Sequence, residues 1–177
     1  MHIKNEKCSI RHWRESDVPS LARYANNSKI EMNLRDGFPY PYTLNDAEKF
    51  IDFVHSCDPV TIFAIEVNNE AVGSVGFFPK ENIYRYNAEI GYWLAEPFWG
   101  NGIIPAVLMS MSDYIFESTR LTRIYAEVFG RNKASGRALE KAGFKKEAVL
   151  SQNIIKNNTV DDTVIYSLRK TDFLNGL

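Results

Sequence analysis

Residues 89–105 of this 177-residue chain, Glu-Ile-Gly-Tyr-Trp-Leu-Ala-Glu-Pro-Phe-Trp-Gly-Asn-Gly-Ile-Ile-Pro, change character twice. They begin as an apolar strand, pass a turn in which Gly100 and Gly102 flank Asn101, and enter a long helix with apolar periodicity. Such a junction aims backbone N–H groups and the positive end of a helix dipole at one point, an arrangement suited to a phosphate. A nucleotide-like ligand is the first expectation. A dinucleotide fingerprint would need a glycine three residues after Gly102, where Pro105 stands, and a Walker loop would need a Gly-Lys-Ser/Thr that is absent. Pro105 itself suits a first helical turn, where its missing N–H has no intrahelical partner to lose. The competing reading is a helix cap with incidental glycines.

The rest of the chain supplies elements to either side. Residues 8–13 alternate as a strand, and residues 16–25 read as a short helix with Ser16 as cap, Asp17 favouring the dipole and Pro19 in the first turn. Thr43 opens a second helix, with Asp46 placed to complete a capping box and Asp58-Pro59 ending the pattern. Residues 60–67 and 71–78 are β-branched and aromatic runs around Asn68-Asn69-Glu70, a hairpin, and residues 86–94 extend it into a three-stranded meander. A helix over 103–117, a strand over 123–129 and a helix over 133–142 follow, with Gly143 as a left-handed stop. Residues 146–155 and 159–168 are two strands around Asn157-Asn158. The order β-α-α-β-β-β-α-β-α-β-β predicts an α/β domain with a mixed, mostly antiparallel sheet, helices on both faces, and a central right-handed βαβ unit.

Composition bounds the ligand class. With 45% hydrophobic residues the chain is long enough for one well-buried core, and residues 1–177 are expected to form a single domain. Lys+Arg 21 against Asp+Glu 22, with no long run of like charge, argues against a general nucleic-acid or membrane-surface binder. No leader pattern or long apolar run is present, so the expected location is cytoplasmic. Cys8 and Cys57 are expected as buried thiols, and His2, His12 and His55 have no metal-site spacing, so no metal is expected. Residues 33–42, Asn-Leu-Arg-Asp-Gly-Phe-Pro-Tyr-Pro-Tyr, form a shaped loop. Its Phe38, Tyr40 and Tyr42 either cover the end of a core or form a wall that binds substrate.

Tyr92-Trp93-Leu94, Phe98-Trp99-Gly100-Asn101-Gly102-Ile103, Asn132-Lys133-Ala134-Ser135 and Leu139-Glu140-Lys141-Ala142-Gly143-Phe144, in this order and spacing, resemble the GNAT superfamily of N-acetyltransferases. More narrowly they resemble its ribosomal-protein N-terminal (alanine or serine) acetyltransferase branch, to which residues 38–43 and 157–166 are also similar. The resemblance implies a GNAT-like fold, acetyl-CoA as co-substrate and a primary amine as acceptor. It also implies that Trp99, Gly100, Asn101, Gly102, Ile103 and Ile104 hold the pyrophosphate. Trp93, Leu94 and Asn132 would meet the pantetheine arm, which would splay the strand ending at Leu94 from the one starting near Arg123. An asparagine at 132 is equally suited to capping the helix that follows. Two departures from the family pattern stand out. Pro97 occupies the position of a long polar side chain before the glycines, leaving binding to the backbone and dipole. Leu139 occupies the position of the usual tyrosine acid.

Acetyl transfer to an amine needs a neutral nucleophile, donors for the developing oxyanion and a proton for the leaving thiolate. An α-amine, with a pKa near ~8 against ~10.4 for lysine, is easier to deprotonate at neutral pH by about 3 kcal/mol. The resemblance points to Glu89 as a base acting through water and to Ser135 as a residue at the leaving sulfur. The alternatives are a strand-edge Glu89 paired with Arg85 or Arg123, and a Ser135 bonded only to the helix backbone. The leading acceptor is a protein N-terminus, ribosomal or other. The rivals are a small amine (polyamine, amino sugar or antibiotic) and a non-catalytic CoA-binding module, in a monomer or homodimer.

Overall fold

The computed structural model describes residues 2–176. Strands β1 (His2–Lys4) and β2 (Ser9–Arg11) lead into helices α1 (Val18–Ala25), α2 (Ser28–Glu31) and α3 (Leu44–Ser56). There follow β3 (Ile62–Val67), β4 (Glu70–Pro79), β5 (Asn87–Leu94), α4 (Ile103–Ser118), β6 (Arg123–Phe129), α5 (Lys133–Lys141), β7 (Lys145–Lys156), β8 (Thr159–Arg169) and α6 (Lys170–Asn175). The eight strands are ordered β1-β2-β3-β4-β5-β6-β8-β7. β5 and β6 pair in parallel, while β1–β2, β2–β3, β3–β4, β6–β8 and β7–β8 are antiparallel. The expected mixed sheet is present. β1, α2 and α6 were not expected, since three, four and six residues are too short to show a period.

Two compact units make up the chain, residues 1–76 with 92–103 and residues 77–91 with 104–177, so β4 and β5 each contribute to both. In the first unit, Trp13, Leu21, Ala22, Ala25, Ala47, Ile51, Val54, Ile62, Ala64 and Ala71 form one apolar core. Each large member contributes about 1.5–3 kcal/mol through burial. Trp13 meets Phe50 edge-on at 5.4 Å, which fixes α3 against the strand exit. The capping box at the start of α3 is formed as expected: Asp46 N–H donates to Thr43 Oγ1 (3.2 Å), and Thr43 N–H donates to Asp46 Oδ2 (2.9 Å). The Thr43 hydroxyl, which donates to Asp46 Oδ2 at 2.6 Å, and then the Thr43 N–H hold the Asp46 carboxyl below its ordinary value.

The start of α1 differs from expectation. Ser16 lies inside a 3-10 turn over Glu15–Asp17 and does not cap the helix, and Asp17 makes no side-chain cap either. The carboxylate of Asp17 instead accepts from Arg14 N–H (2.9 Å) and from both terminal nitrogens of Arg11 (2.7 and 2.9 Å). Arg11 also pairs with Glu66 on β3. A bidentate, buried guanidinium contact is stronger than a cap, so it takes the carboxylate. Cys8 is buried as expected and its thiol is pushed up by that burial, but Cys57 is only half-buried.

In the second unit, α4 buries Leu108, Met111, Ile115 and Phe116, and Ile124 and Leu139 are buried completely. Phe77 meets Tyr114 edge-on, and Phe116 packs on Phe173 of α6. The Asn157-Asn158 turn has φ of 50° and 59°, the left-handed pair that a tight hairpin between β7 and β8 demands. Gly143 ends α5 at φ 88°, the predicted left-handed stop.

Candidate active site

The turn after β5 is built almost entirely from main chain. Ala95 N–H donates to Val72 O (2.8 Å), and a 3-10 turn over Glu96–Phe98 is closed by Phe98 N–H to Ala95 O and Trp99 N–H to Glu96 O. The indole N–H of Trp99 reaches back to Leu94 O at 2.6 Å. Asn101 Nδ2 donates to the carbonyls of Phe98 and Trp99, both at 3.3 Å. Gly100 and Gly102 sit at φ 78° and 72°, where a side chain is strained, and nothing lies within 4 Å of the Cβ that Gly100 lacks. Ile103 is buried and anchors the first turn of α4, whose opening N–H groups have no intrahelical acceptor. Trp99 is 44% exposed, so its indole ties the turn while its ring borders solvent.

β5 is held unusually close to β4 just before this turn. A Cβ on Gly73 would lie 2.4 Å from Trp93 O and 3.1 Å from Leu94 Cα, contacts that only a glycine avoids. Gly73→Ala is expected to cost about 1–3 kcal/mol, since the obstruction is backbone and cannot rotate away. Gly91→Ala, whose Cβ would meet only Phe78 at 3.5 Å, is the matched control, expected within about 0.5 kcal/mol of wild type by urea denaturation. Equal stability of the two variants would refute the close approach.

The parallel ladder between β5 and β6 is short. It runs from Asn87↔Arg123 to Glu89↔Tyr125, although β5 continues to Leu94 and β6 to Phe129. The ladder ends at Glu89, before the last residues of either strand. Glu89 ends it with its side chain 12% exposed and Oε2 3.1 Å from Lys80 Nζ. The arginines expected as its partners are engaged elsewhere: Arg85 donates to Asn82 O, and Arg123 to Asn87 Oδ1 and Glu147. Burial works against the charge on Lys80, but hydrogen bonds from its ammonium to Tyr125 and Glu89 outweigh it and hold the ammonium above its ordinary value.

Asn132 caps α5, with Oδ1 accepting from Ser135 N–H at 3.1 Å. The cap uses the carbonyl oxygen and does not need the amide donors, so capping and ligand binding are compatible roles. Ser135 is half-buried in the first turn, one turn before a fully buried Leu139. Tyr166 of β8 approaches the same turn, its hydroxyl 2.5 Å from where a Gly136 Cβ would lie. Burial and Glu140 raise that phenol.

The aromatic loop divides. Tyr42 is buried in the first core and Phe38 packs against that core, meeting Tyr42 at 5.1 Å and Trp93 at 6.0 Å. Burial, and then the charge of Asp46, push the Tyr42 phenol up to about 12. Tyr42 thus takes the core-covering role that the sequence left open, and half-buried Phe38 stands between it and Trp93. Only Tyr40 is well exposed, at 53%. Lys80 and Gly73 were not anticipated. A glycine within a strand does signal close backbone approach, so Gly73 was readable; Lys80 carries no such mark.

The acetyltransferase (GNAT) domain model matches residues 8–145. The chain belongs to the GNAT acetyltransferase family. Uncharacterized N-acetyltransferase YoaA of Bacillus subtilis (strain 168) is 42% identical over 101 residues, 57% of this chain and 56% of that protein, so the match spans little more than half of that relative's length. The ribosomal-protein-serine acetyltransferase of Escherichia coli (strain K12) is 30% identical over 114 residues, 64% of this chain and 63% of that one. Among solved structures, the ribosomal L7/L12 alpha-N-protein acetyltransferase RimL in complex with coenzyme A shares the GNAT fold at a TM-score of 0.85 and 23% identity, covering 96% of this chain and 98% of its own.

Proposed function

We propose that this GNAT chain transfers acetyl from acetyl-CoA to a primary amine, and that the acceptor is a protein N-terminal α-amine. The observation that carries the reading is the turn after β5: main-chain donors around two left-handed glycines, one of them open to solvent, leading into α4. A Cβ at Gly100 would stand in that open space, so the turn fits a phosphate group that approaches the backbone closely. Residues 99–104 hold the pyrophosphate, and the polar main-chain groups of Trp93 and Leu94 pair with the pantetheine arm. Asn132 donates its side-chain amide to the same arm.

Acetyl-CoA supplies the acetyl group as a thioester. Glu89 takes a proton from the incoming ammonium through a water molecule, leaving the amine nitrogen free to attack the carbonyl carbon. The N–H near Leu94 donates to the carbonyl oxygen as negative charge develops there. As the C–S bond breaks, the second proton of the attacking nitrogen passes through the Ser135 hydroxyl to the departing sulfur, so coenzyme A leaves as the thiol and the amide nitrogen is left neutral. Leu139 stands where the family's usual tyrosine would take part in this step. Tyr166, bonded to Glu140, is committed to the α5–β8 packing.

An α-amine is favoured because it is deprotonated more cheaply than lysine. The ribosomal-protein-serine acetyltransferase among the relatives supports the same acceptor class. The test follows thiol release from acetyl-CoA with N-terminal peptides, polyamines and aminoglycosides as acceptors. Release with peptides alone is expected. Release with small amines alone would overturn the acceptor, and thermal stabilisation by CoA without turnover on any acceptor would indicate a binding module.

A further inference from the structure

We propose that Lys7 supplies the positive charge of this phosphate cradle, its ammonium binding the pyrophosphate of acetyl-CoA beside Gly102; the inference rests on the acetyl-CoA reading above. Residues 95–104, Ala-Glu-Pro-Phe-Trp-Gly-Asn-Gly-Ile-Ile, contain no lysine or arginine, and Pro97 stands where a long polar side chain would reach the ligand. The sole charged side chain of that stretch, Glu96, is held by Asn27 (2.8 Å) and Lys29. The turn alone thus offers only N–H groups and a helix dipole worth about half a charge against a pyrophosphate dianion.

Lys7 comes from a different part of the first unit and fills that gap. Its Cε lies 3.4 Å, and its Nζ 3.7 Å, from the Cβ position of Gly102. Its backbone is fixed by the turn between β1 and β2: Asn5 Oδ1 accepts from the N–H of both Lys7 and Cys8 at 2.9 Å, and Asn5 N–H donates to Cys8 O at 3.0 Å. The turn is anchored in turn by buried Cys8 and Ile10. The lysine stem therefore starts from a rigid point, and the ammonium stays exposed beside the left-handed turn. A compact point charge on a flexible stem is suited to a phosphate that the backbone already orients. Lys29, the other lysine near the turn, is taken by Glu96.

The test is calorimetric binding of coenzyme A to wild type, Lys7→Met and Lys7→Arg, with 3′-dephospho-CoA as a second ligand and S-acetylpantetheine as a phosphate-free acetyl donor. Lys7→Met is expected to raise the Kd for coenzyme A about tenfold, the low end for a charge-assisted bond at an exposed site. Lys7→Arg should recover most of that loss, and added salt should shrink the difference between wild type and Lys7→Met. The loss should persist with 3′-dephospho-CoA, while transfer from S-acetylpantetheine and the melting temperature of the free protein stay as in wild type. A Kd within about twofold of wild type overturns the proposal. So does a loss that disappears with 3′-dephospho-CoA, which assigns Lys7 to the ribose phosphate, or an equal loss with S-acetylpantetheine, which marks a structural role. Absence of coenzyme A binding by wild type would instead bring down the acetyl-CoA reading, and Lys7 with it.

Discussion

Glu89→Gln is expected to lower kcat for acetyl transfer about a hundredfold or more, the range for a lost general base, while the Kd for coenzyme A stays within about twofold. Glutamine keeps the shape of the side chain and its place at the end of the β5–β6 ladder, opposite Tyr125, so the strand that carries Trp93 and Leu94 should not move. What it removes is the ability to accept a proton. Lys80, 3.1 Å from the carboxylate, remains an ammonium throughout the working pH range and does not take over that task. A kcat within about threefold of wild type would remove Glu89 from proton transfer. A large rise in the coenzyme A Kd would show instead that its bond to Lys80 is structural.

The second large effect is on stability. Arg11→Leu should destabilise the protein by about 3–5 kcal/mol, because it strands two carboxylates in a nearly dry site. The side chains of Arg11, Asp17 and Glu66 are 4%, 7% and 14% exposed, and the arginine joins the segment entering α1 to β2 and β3. Burial opposes the guanidinium charge, yet its bonds to Asp17 and Glu66 raise it further above its ordinary value. For a chain of this length the loss corresponds to a fall in melting temperature of about 10 °C. Replacing all three residues by apolar ones of similar volume should recover much of the deficit, since the cost lies in the orphaned charges. A single variant that melts within about 2 °C of wild type would mean that water already reaches the cluster.

These two sites differ in how far they could be read in advance. Elements marked by local chemistry were legible: Thr43 with Asp46, the Asn157-Asn158 turn, Gly143, and the glycines at 100 and 102 all act through neighbours in sequence. Ser16 failed as a cap because its neighbour Asp17 answers to Arg11, and nothing within one turn of sequence records that preference. Glu89 was visible as a strand carboxylate, but its contact with Lys80, just past β4, was not. Phe38 and Tyr42 were readable as shaped-loop aromatics, and packing alone decided that Tyr42 enters the core with Phe38 between it and Trp93. Lys7 was invisible for the same reason: a lysine in a polar N-terminal stretch means nothing until the β1–β2 turn brings it beside Gly102.

A cradle made from the amides of residues 99–104 has an evolutionary consequence. Main-chain donors are present whatever side chains the positions carry, so recognition of the proposed kind tolerates drift at Ile104, while Gly100 and Gly102 hold the curve and the side chains of Trp99 and Asn101 tie it. Alanine scanning across the turn would therefore understate it, registering the glycines and the two side chains that tie the turn but none of the amides. On the proposed function, lineages descended from such a chain are free to rewrite the exposed loop around Tyr40 without rebuilding the turn after β5.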